Sequence, residues 1–268
     1  MRPFVIKLGG ACLDQDDGDS QAWDGFAALL RRDPAIVVHG GGAAVDRQLQ
    51  RLGLASQKHE GIRITPQSHM DQITGVLAGQ MNTRLIGLLL SRGIKAVGLT
   101  LGDGLLTRSQ VTTKYSFDAG RVGEVIHGDM TLLHTLIASG FVPVVCSIAI
   151  DSAGDTLNVN ADEAAAAMAR LVPASRLVFL TDVAGVMDAQ GRIVKSLTAE
   201  QCQKMMDRGE LHGGMVAKVR SALDASQSAG VPVTVAGWSD ATANSSTTNW
   251  HAIGTQIQST SQLEAIRA

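Results

Sequence analysis

Val5-Ile6-Lys7-Leu8-Gly9-Gly10 and Ile36-Val37-Val38-His39-Gly40-Gly41-Gly42 decide how this chain reads. Each is an apolar, strand-like run that ends in glycines. Glycine opens dihedrals closed to other residues, so successive N–H groups can converge on an anion. A loop between a strand and a helix also aims those groups along the positive end of the helix. Lys7 adds a mobile cation to the first loop. Two such nests on neighbouring strands suit the two partners of a phosphoryl transfer, in which positioning and charge neutralisation supply nearly all the catalysis.

Two other glycine motifs are excluded by spacing. A Walker loop needs Gly-x-x-x-x-Gly-Lys followed by Ser or Thr, and no stretch supplies it. A dinucleotide fingerprint needs Gly-x-Gly-x-x-Gly, but Ala43-Ala44-Val45-Asp46 follows the glycine triplet. An NAD-dependent oxidoreductase is disfavoured on that ground.

Composition narrows the classes further. A chain of 268 residues with 45% hydrophobic and 18% charged residues can bury a large core and is not disordered. Aromatics at 3% leave few platforms for stacking bases, and a net charge of −2 gives no basic footprint for nucleic acid. Cys12, Cys146 and Cys202 are far apart and odd in number, so neither a disulfide framework nor a metal spacing emerges. Cys12 reads as a buried small hydrophobe. The few residues before Lys7 are too short for a signal peptide, and no run reads as a membrane span, so a cytoplasmic protein is expected.

Short β-rich runs alternate with longer helical patterns, which implies an α/β fold built on a mainly parallel sheet covered on both faces. Strands are expected at 4–8, 35–39, 96–99, 142–150, 177–181 and 232–236. Helices are expected at 21–32, 43–52, 66–92, 131–139, 161–171, 199–208 and 215–229, with Thr65 capping the third before Pro66. Residues 100–127 break the alternation and read as β-hairpins covering a site. The turn at Asp151–Asp155 opens the second half of the chain. The helix at 66–92 becomes apolar on nearly every face from Leu85 to Leu90, so it crosses a thick core or packs on a second copy. The polar stretch 241–249 reads as a surface loop or frayed helix.

Four more clusters carry chemistry. Gly61-Ile62-Arg63-Ile64-Thr65 sets one arginine, whose planar fork suits a carboxylate, just before a helix. Asn158-Val159-Asn160-Ala161-Asp162 places two amides and a carboxylate at a helix start; capping explains one of the three. Leu180-Thr181-Asp182-Val183-Ala184-Gly185-Val186 is a strand entering a polar turn, where open α/β sheets bind ligands. Gly213-Gly214-Met215-Val216-Ala217-Lys218 is a glycine pair entering a helix with a lysine in its second turn. His39, His127 and His212 are not at metal-ligand spacings.

With these clusters in this order, the chain resembles the acetylglutamate kinases of the amino acid kinase family, from Val5 to about Ile257. The resemblance rests on the histidine–triple glycine run, Gly61–Thr65, Val97-Gly98-Leu99 and Asn158–Asp162. It implies a single αβα-sandwich domain, with residues 1–155 as an acceptor-binding lobe and 156–268 as an ATP-binding lobe. The implied reaction moves the γ-phosphoryl of ATP to the side-chain carboxylate of N-acetyl-L-glutamate, on the route to arginine. By resemblance Lys7 and Lys218 flank the phosphoryl from opposite lobes, Gly10 donates to it, and Asp162 organises the lysines. Gly41, Gly42, Arg63 and Asn158 take the acceptor, and Gly41 also donates to the phosphoryl. Asp182, Val183, Ala184, Gly185, Val186 and Met187, with Glu210, Leu211 and His212, meet the nucleotide. Mg2+ is implied, held mainly through ATP phosphates, with no protein metal ligand. A homodimer insensitive to arginine is also implied, since the arginine-sensitive relatives carry an N-terminal helix for which Met1-Arg2-Pro3 leaves no room. The alternatives are a related kinase of an aminoadipate derivative, and a nucleotide or amino-acid sensor that has lost turnover.

Overall fold

The computed structural model describes residues 2–13, 20–59, 61–188, 190–211, 214–243, 250 and 253–258. Its contacts divide the chain into two compact units, Met1–Ala35 with Ala165–Ala268, and Ile36–Ala164. The expected cut near residue 155 therefore differs from the observed one. Strand pairing is the reason: Phe4–Leu8 runs parallel to Arg176–Thr181 over five residues, which ties the N-terminal strand to the C-terminal part of the chain.

In the first unit, Arg176–Thr181 also pairs in parallel with Val233–Gly237. Thr255–Gln258 runs antiparallel to Val233–Gly237 and parallel to Ser196–Thr198. These strands read as near-continuous apolar runs because they are buried on both sides: Val5, Ile6, Leu8, Leu177, Val178, Leu180, Val233 and Val235 are at most 1% exposed. Helices Ser20–Arg32 and Trp238–Ala243 lie together, and Trp23, Phe26 and Trp238 form an aromatic cluster with centroids 4.7 to 6.0 Å apart. Helix Ala199–Asp207 starts on a capping box, in which Thr198 and Gln201 satisfy each other's backbone N–H.

In the second unit, Val142–Cys146 lies between Ala35–His39 and Ala96–Thr100, parallel to both. A four-stranded sheet follows the order Arg108–Val111, Val122–His127, Thr156–Val159, Ile148–Ile150, and a short ribbon joins Lys58–His59 to Ile62–Arg63. The expected strand 142–150 breaks at Ser147. Its first half pairs with Ala96–Thr100, and its second half pairs antiparallel with Thr156–Val159. The strand Thr156–Val159 itself was not foreseen. Within 100–127 there is one antiparallel pair of strands, Arg108–Val111 with Val122–His127.

The expected helix 66–92 is composite. A 3-10 turn (Gln67–His69) leads into α-helix (Met70–Thr74), a π segment (Gly75–Met81) and α-helix again (Asn82–Leu90). The widened stretch holds Gly75 and Gly79, the weakest helix formers in the run. Thr65 does not cap it. Pro66 occupies that place, while the buried Thr65 hydroxyl donates to Arg63 O. Nor is the end of this helix enclosed all round, since Leu85 and Leu89 are buried while Leu90 is 54% exposed. Contrary to the sequence reading, the run Gln67–Leu90 is long and apolar enough to span a bilayer by length and composition alone. Core helices pass the same test, and Met70, Ile73, Leu77 and Met81 are buried in this unit. The stretch 241–249 falls outside the described residues after Ala243.

Candidate active site

The first unit holds both lysines. Lys7 sits near the C-terminal end of its strand, in register with Phe179, and its ammonium lies 5.7 Å from that ring's centroid. The sequence reading put Lys7 and Lys218 on opposite lobes; the contacts place them in the same unit. Because Phe4–Leu8 and Arg176–Thr181 are parallel, the Gly9-Gly10 loop and the Asp182 turn leave the sheet at the same, C-terminal edge, where α/β sheets bind ligands. Gly9 N–H donates to Leu180 O at 2.9 Å and so locks the two exits together. Gly10 opens a four-residue helical turn, Gly10–Leu13.

Lys218 projects from the helix Gly214–Ala229, and its ammonium donates to Asp182 Oδ1. The Thr181 hydroxyl donates to the same oxygen at 2.7 Å. The Lys218 ammonium, aided by this hydroxyl, holds the Asp182 carboxyl well below its ordinary range, at about 2. Asp182 is thus the anchor of Lys218, a relation the sequence did not reveal because the two are 36 residues apart. Cys12 lies close enough to feel the charges of both Lys7 and Asp182. Burial dominates, however, and pushes its thiol up to about 12. It is an inert core residue, as expected.

The turn after Asp182 is fixed in place. Val186 N–H donates to Thr255 Oγ1 at 2.8 Å, Val194 N–H donates to Val186 O at 2.8 Å, and Met187 bridges to Ile193. Val186 is buried and Met187 is 46% exposed, so Val183–Met187 forms a rim with one apolar anchor. Leu211 is buried, and the Glu210 carboxylate lies 3.7 Å from Arg208. His212, expected beside the nucleotide, lies outside the described residues.

The second unit holds the expected acceptor residues. The helix Gly42–Arg51 starts directly after Gly41, and against Gly41 pack Leu77 and Met81 of the π segment. A Cβ there would come within 2.9 Å of Leu77 Cδ2. Arg63 leaves the short ribbon with its side chain 9% exposed. Its Nη2 donates to Gly42 O at 2.9 Å, and its Nη1 donates to Asp46 Oδ1 and Ser56 Oγ. Lys58 completes the group, 2.8 Å from Asp46 Oδ2. Partial burial opposes the Asp46 charge, but the bonds from Arg63, Lys58 and Ser56 outweigh it and hold the carboxyl far below the ordinary range. Two cations against one carboxylate leave this corner net positive. Asp46 and Ser56 were missed from sequence; each is an ordinary polar residue until the ribbon folds over the helix.

Asn158 belongs to the same corner. Its Nδ2 donates to Thr65 Oγ1 at 3.1 Å, and Thr65 Oγ1 donates to Arg63 O at 2.9 Å. One hydroxyl therefore links the arginine and asparagine that the sequence assigned to one ligand. Asn160 is the helix cap, with Oδ1 accepting from Asp162 N–H at 2.8 Å and Glu163 N–H at 3.3 Å. Asp162, half-buried, occupies the first turn of Ala161–Leu171. Among the described residues no cluster of three or more His, Cys, Asp or Glu could hold a metal ion.

Residues 2–237 match the Amino acid kinase family, and the chain belongs to it. It is 40% identical, over 96% of its own length and 99% of the other, to an acetylglutamate kinase of Pectobacterium carotovorum. It is also 40% identical to an acetylglutamate kinase of Shewanella sediminis, over 95% of this chain and 96% of that one. Among solved structures, the fold is shared by smu.665 from Streptococcus mutans, with a TM-score of 0.73, 24% identity, and coverage of 95% of this chain and 98% of that one. It is also shared by carbamate kinase from Giardia lamblia bound to AMP-PNP, with a TM-score of 0.64, 16% identity, and coverage of 96% and 98%. The expected α/β class, built on a mainly parallel sheet, accordingly stands.

Proposed function

We propose that this chain is an acetylglutamate kinase, transferring the γ-phosphoryl of ATP to the side-chain carboxylate of N-acetyl-L-glutamate in arginine biosynthesis. The observation that carries the reading is 40% identity to such an enzyme along 99% of that enzyme's length. The net positive corner built by Arg63, Lys58 and Asp46 next to Asn158 supports a carboxylate-bearing acceptor.

In this reading the side-chain carboxylate of the acceptor is already ionised near neutral pH, so no general base is required. One of its oxygens bonds to the γ-phosphorus as the bond to the bridging oxygen breaks, and ADP leaves with that electron pair. Lys7, Lys218 and the N–H groups of Gly10 and Gly41 stabilise the charge on the transferred group. Asp182 holds the Lys218 ammonium on its strand end, and Asp162 organises the reacting groups from its helix start. Arg63 and Asn158 take the α-carboxylate end of the acceptor, with Gly41 and Gly42 alongside. Residues 182–187 and 210–212 receive the nucleotide, and the acceptor and ATP roles fall to the N-terminal and C-terminal halves respectively.

Magnesium would neutralise the β- and γ-phosphates. In this reading the ion would be held mainly through phosphates and water, since the Asp182 carboxylate is engaged by Lys218 and Thr181. The protein acts in the cytoplasm as a homodimer, paired through the helix Gln67–Leu90. The test is ATP consumption with N-acetylglutamate, glutamate, aspartate and N-acetyl-aminoadipate side by side. N-acetylglutamate should give the highest kcat/KM, and a preference for the aminoadipate derivative would overturn the assignment.

A further inference from the structure

His39 ends the strand that feeds the triple-glycine loop, is 0% exposed, and has no role in the reaction as described above. Its ring makes two hydrogen bonds whose directions can be decided. Nδ1 lies 2.8 Å from Gly40 O, and a carbonyl can only accept, so Nδ1 carries the proton. Nε2 lies 3.0 Å from Asn82 Nδ2. The second hydrogen of that amide goes to Val144 O at 3.1 Å, so the nitrogen of Asn82 is identified and Nε2 is the acceptor. The imidazole is therefore neutral, with one fixed tautomer. Burial pulls in the same direction and lowers its proton affinity.

Asn82 is in turn held by something absent. It is buried at the junction where the π segment becomes α-helix, and its Oδ1 lies against Gly98. A Cβ at Gly98 would stand 2.0 Å from that oxygen and 2.3 Å from Ile86 Cδ1. The glycine of Val97-Gly98-Leu99, which the catalytic description leaves unused, clears the space in which the amide sits. The chain of contacts runs from Gly98 through Asn82 and His39 to the carbonyl of Gly40.

The consequence lies across one peptide plane. In a trans peptide the carbonyl of one residue and the N–H of the next point in opposite directions. With Gly40 O held inward by the ring of His39, the Gly41 N–H is turned the other way. Glycines on both sides of that bond leave it free to rotate without such a restraint. We propose that His39, fixed by Asn82 over Gly98, is a positioning residue that aims the Gly41 N–H at the transferred phosphoryl group. This inference rests on the proposed kinase reading, in which Gly41 is a donor to that group. The bond matters most in the transition state, where charge on the phosphoryl oxygens is redistributed, so its loss falls on kcat.

The test compares His39→Leu, His39→Asn and Gly98→Ala with the parent enzyme, measuring kcat, both KM values and the melting temperature. The amide of an asparagine reaches about as far as Nδ1, so His39→Asn keeps a donor for Gly40 O. His39→Leu should lower kcat by roughly 10- to 100-fold with both KM values within about twofold, the range for losing or misaiming one such donor. His39→Asn should recover most of that loss. Gly98→Ala, which alters neither the loop nor its histidine, should lower kcat in the same way, and it decides the matter if His39→Leu does not fold. A purely structural histidine would lower the melting temperature of both His39 variants and leave the kcat of the folded enzyme unchanged. That result, or equal kcat for His39→Leu and His39→Asn, would overturn the proposal. A parent enzyme without acetylglutamate-dependent turnover would instead overturn the kinase reading.

Discussion

Arg63→Lys tests the acceptor corner most sharply. The arginine makes three hydrogen bonds, to Asp46, Ser56 and Gly42 O, from a side chain that is 9% exposed. A lysine ammonium on a flexible stem cannot reach three partners set around a planar fork, and we expect it to keep one. Two lost bonds at ~1 kcal/mol each give about 2 kcal/mol, reduced to ~1–2 kcal/mol because the Asp46 carboxylate is partly solvated. For a chain of this size that is a fall of ~2–8 °C in melting temperature. In the proposed reading acceptor binding would lose a bidentate contact to a carboxylate, worth ~1.4–2.8 kcal/mol, or about 10- to 100-fold in affinity. ATP binding should stay within about twofold, since the proposed reading gives Arg63 no part in the nucleotide site. Calorimetric titration of N-acetylglutamate and of a non-hydrolysable ATP analogue, each alone, separates the two. Equal weakening for both ligands, or unchanged acceptor affinity, would remove Arg63 from the acceptor site.

Lys7→Ala and Lys218→Ala should each reduce turnover by roughly 10²-fold or more, and an effect confined to KM in steady-state assays would reassign that lysine to ground-state binding. Asp182, held at about 2 against an ordinary 3.8, stabilises the fold above pH 3.8 and loses that contribution as pH falls towards 2. The melting-temperature gap between parent and Asp182→Asn should therefore narrow between pH 5 and the acid limit, and a constant gap would contradict the ion pair. Light scattering should give a mass about twice 28.1 kDa, and a monomer would remove the proposed pairing through Gln67–Leu90.

What the sequence disclosed was local. Apolar runs ending in glycine located the strands at 4–8 and 35–39, and the Asn158–Asp162 cluster announced a helix start, where the structure makes Asn160 the cap. Periodicity could not show that 142–150 changes sheets at Ser147, because both halves are equally apolar and the switch depends on which partner each meets. Nor could it show the π segment, since Gly75–Met81 is only 7 residues, too short for its own period to stand out from the α-helical pattern on either side. The relations that complete the site join residues far apart in the chain: Asp46 with Arg63, Asp182 with Lys218, and His39 with Asn82. Arg63, Asp182, Lys218 and His39 stood out by their motifs, but nothing in the sequence joined them to these partners, which meet only when the elements pack. The division into units failed to be legible for the same reason. Pairing between Phe4–Leu8 and Arg176–Thr181 is a contact across more than half the chain.

In the proposed reaction a carboxylate oxygen of N-acetyl-L-glutamate receives the γ-phosphoryl of ATP. An acyl phosphate is trapped by hydroxylamine as a hydroxamate, which can be counted against the ADP released. With ATP, Mg2+ and N-acetyl-L-glutamate, one hydroxamate per ADP is expected, and neither product when the acceptor is omitted. ADP formed without hydroxamate, or at the same rate with no acceptor present, would contradict it.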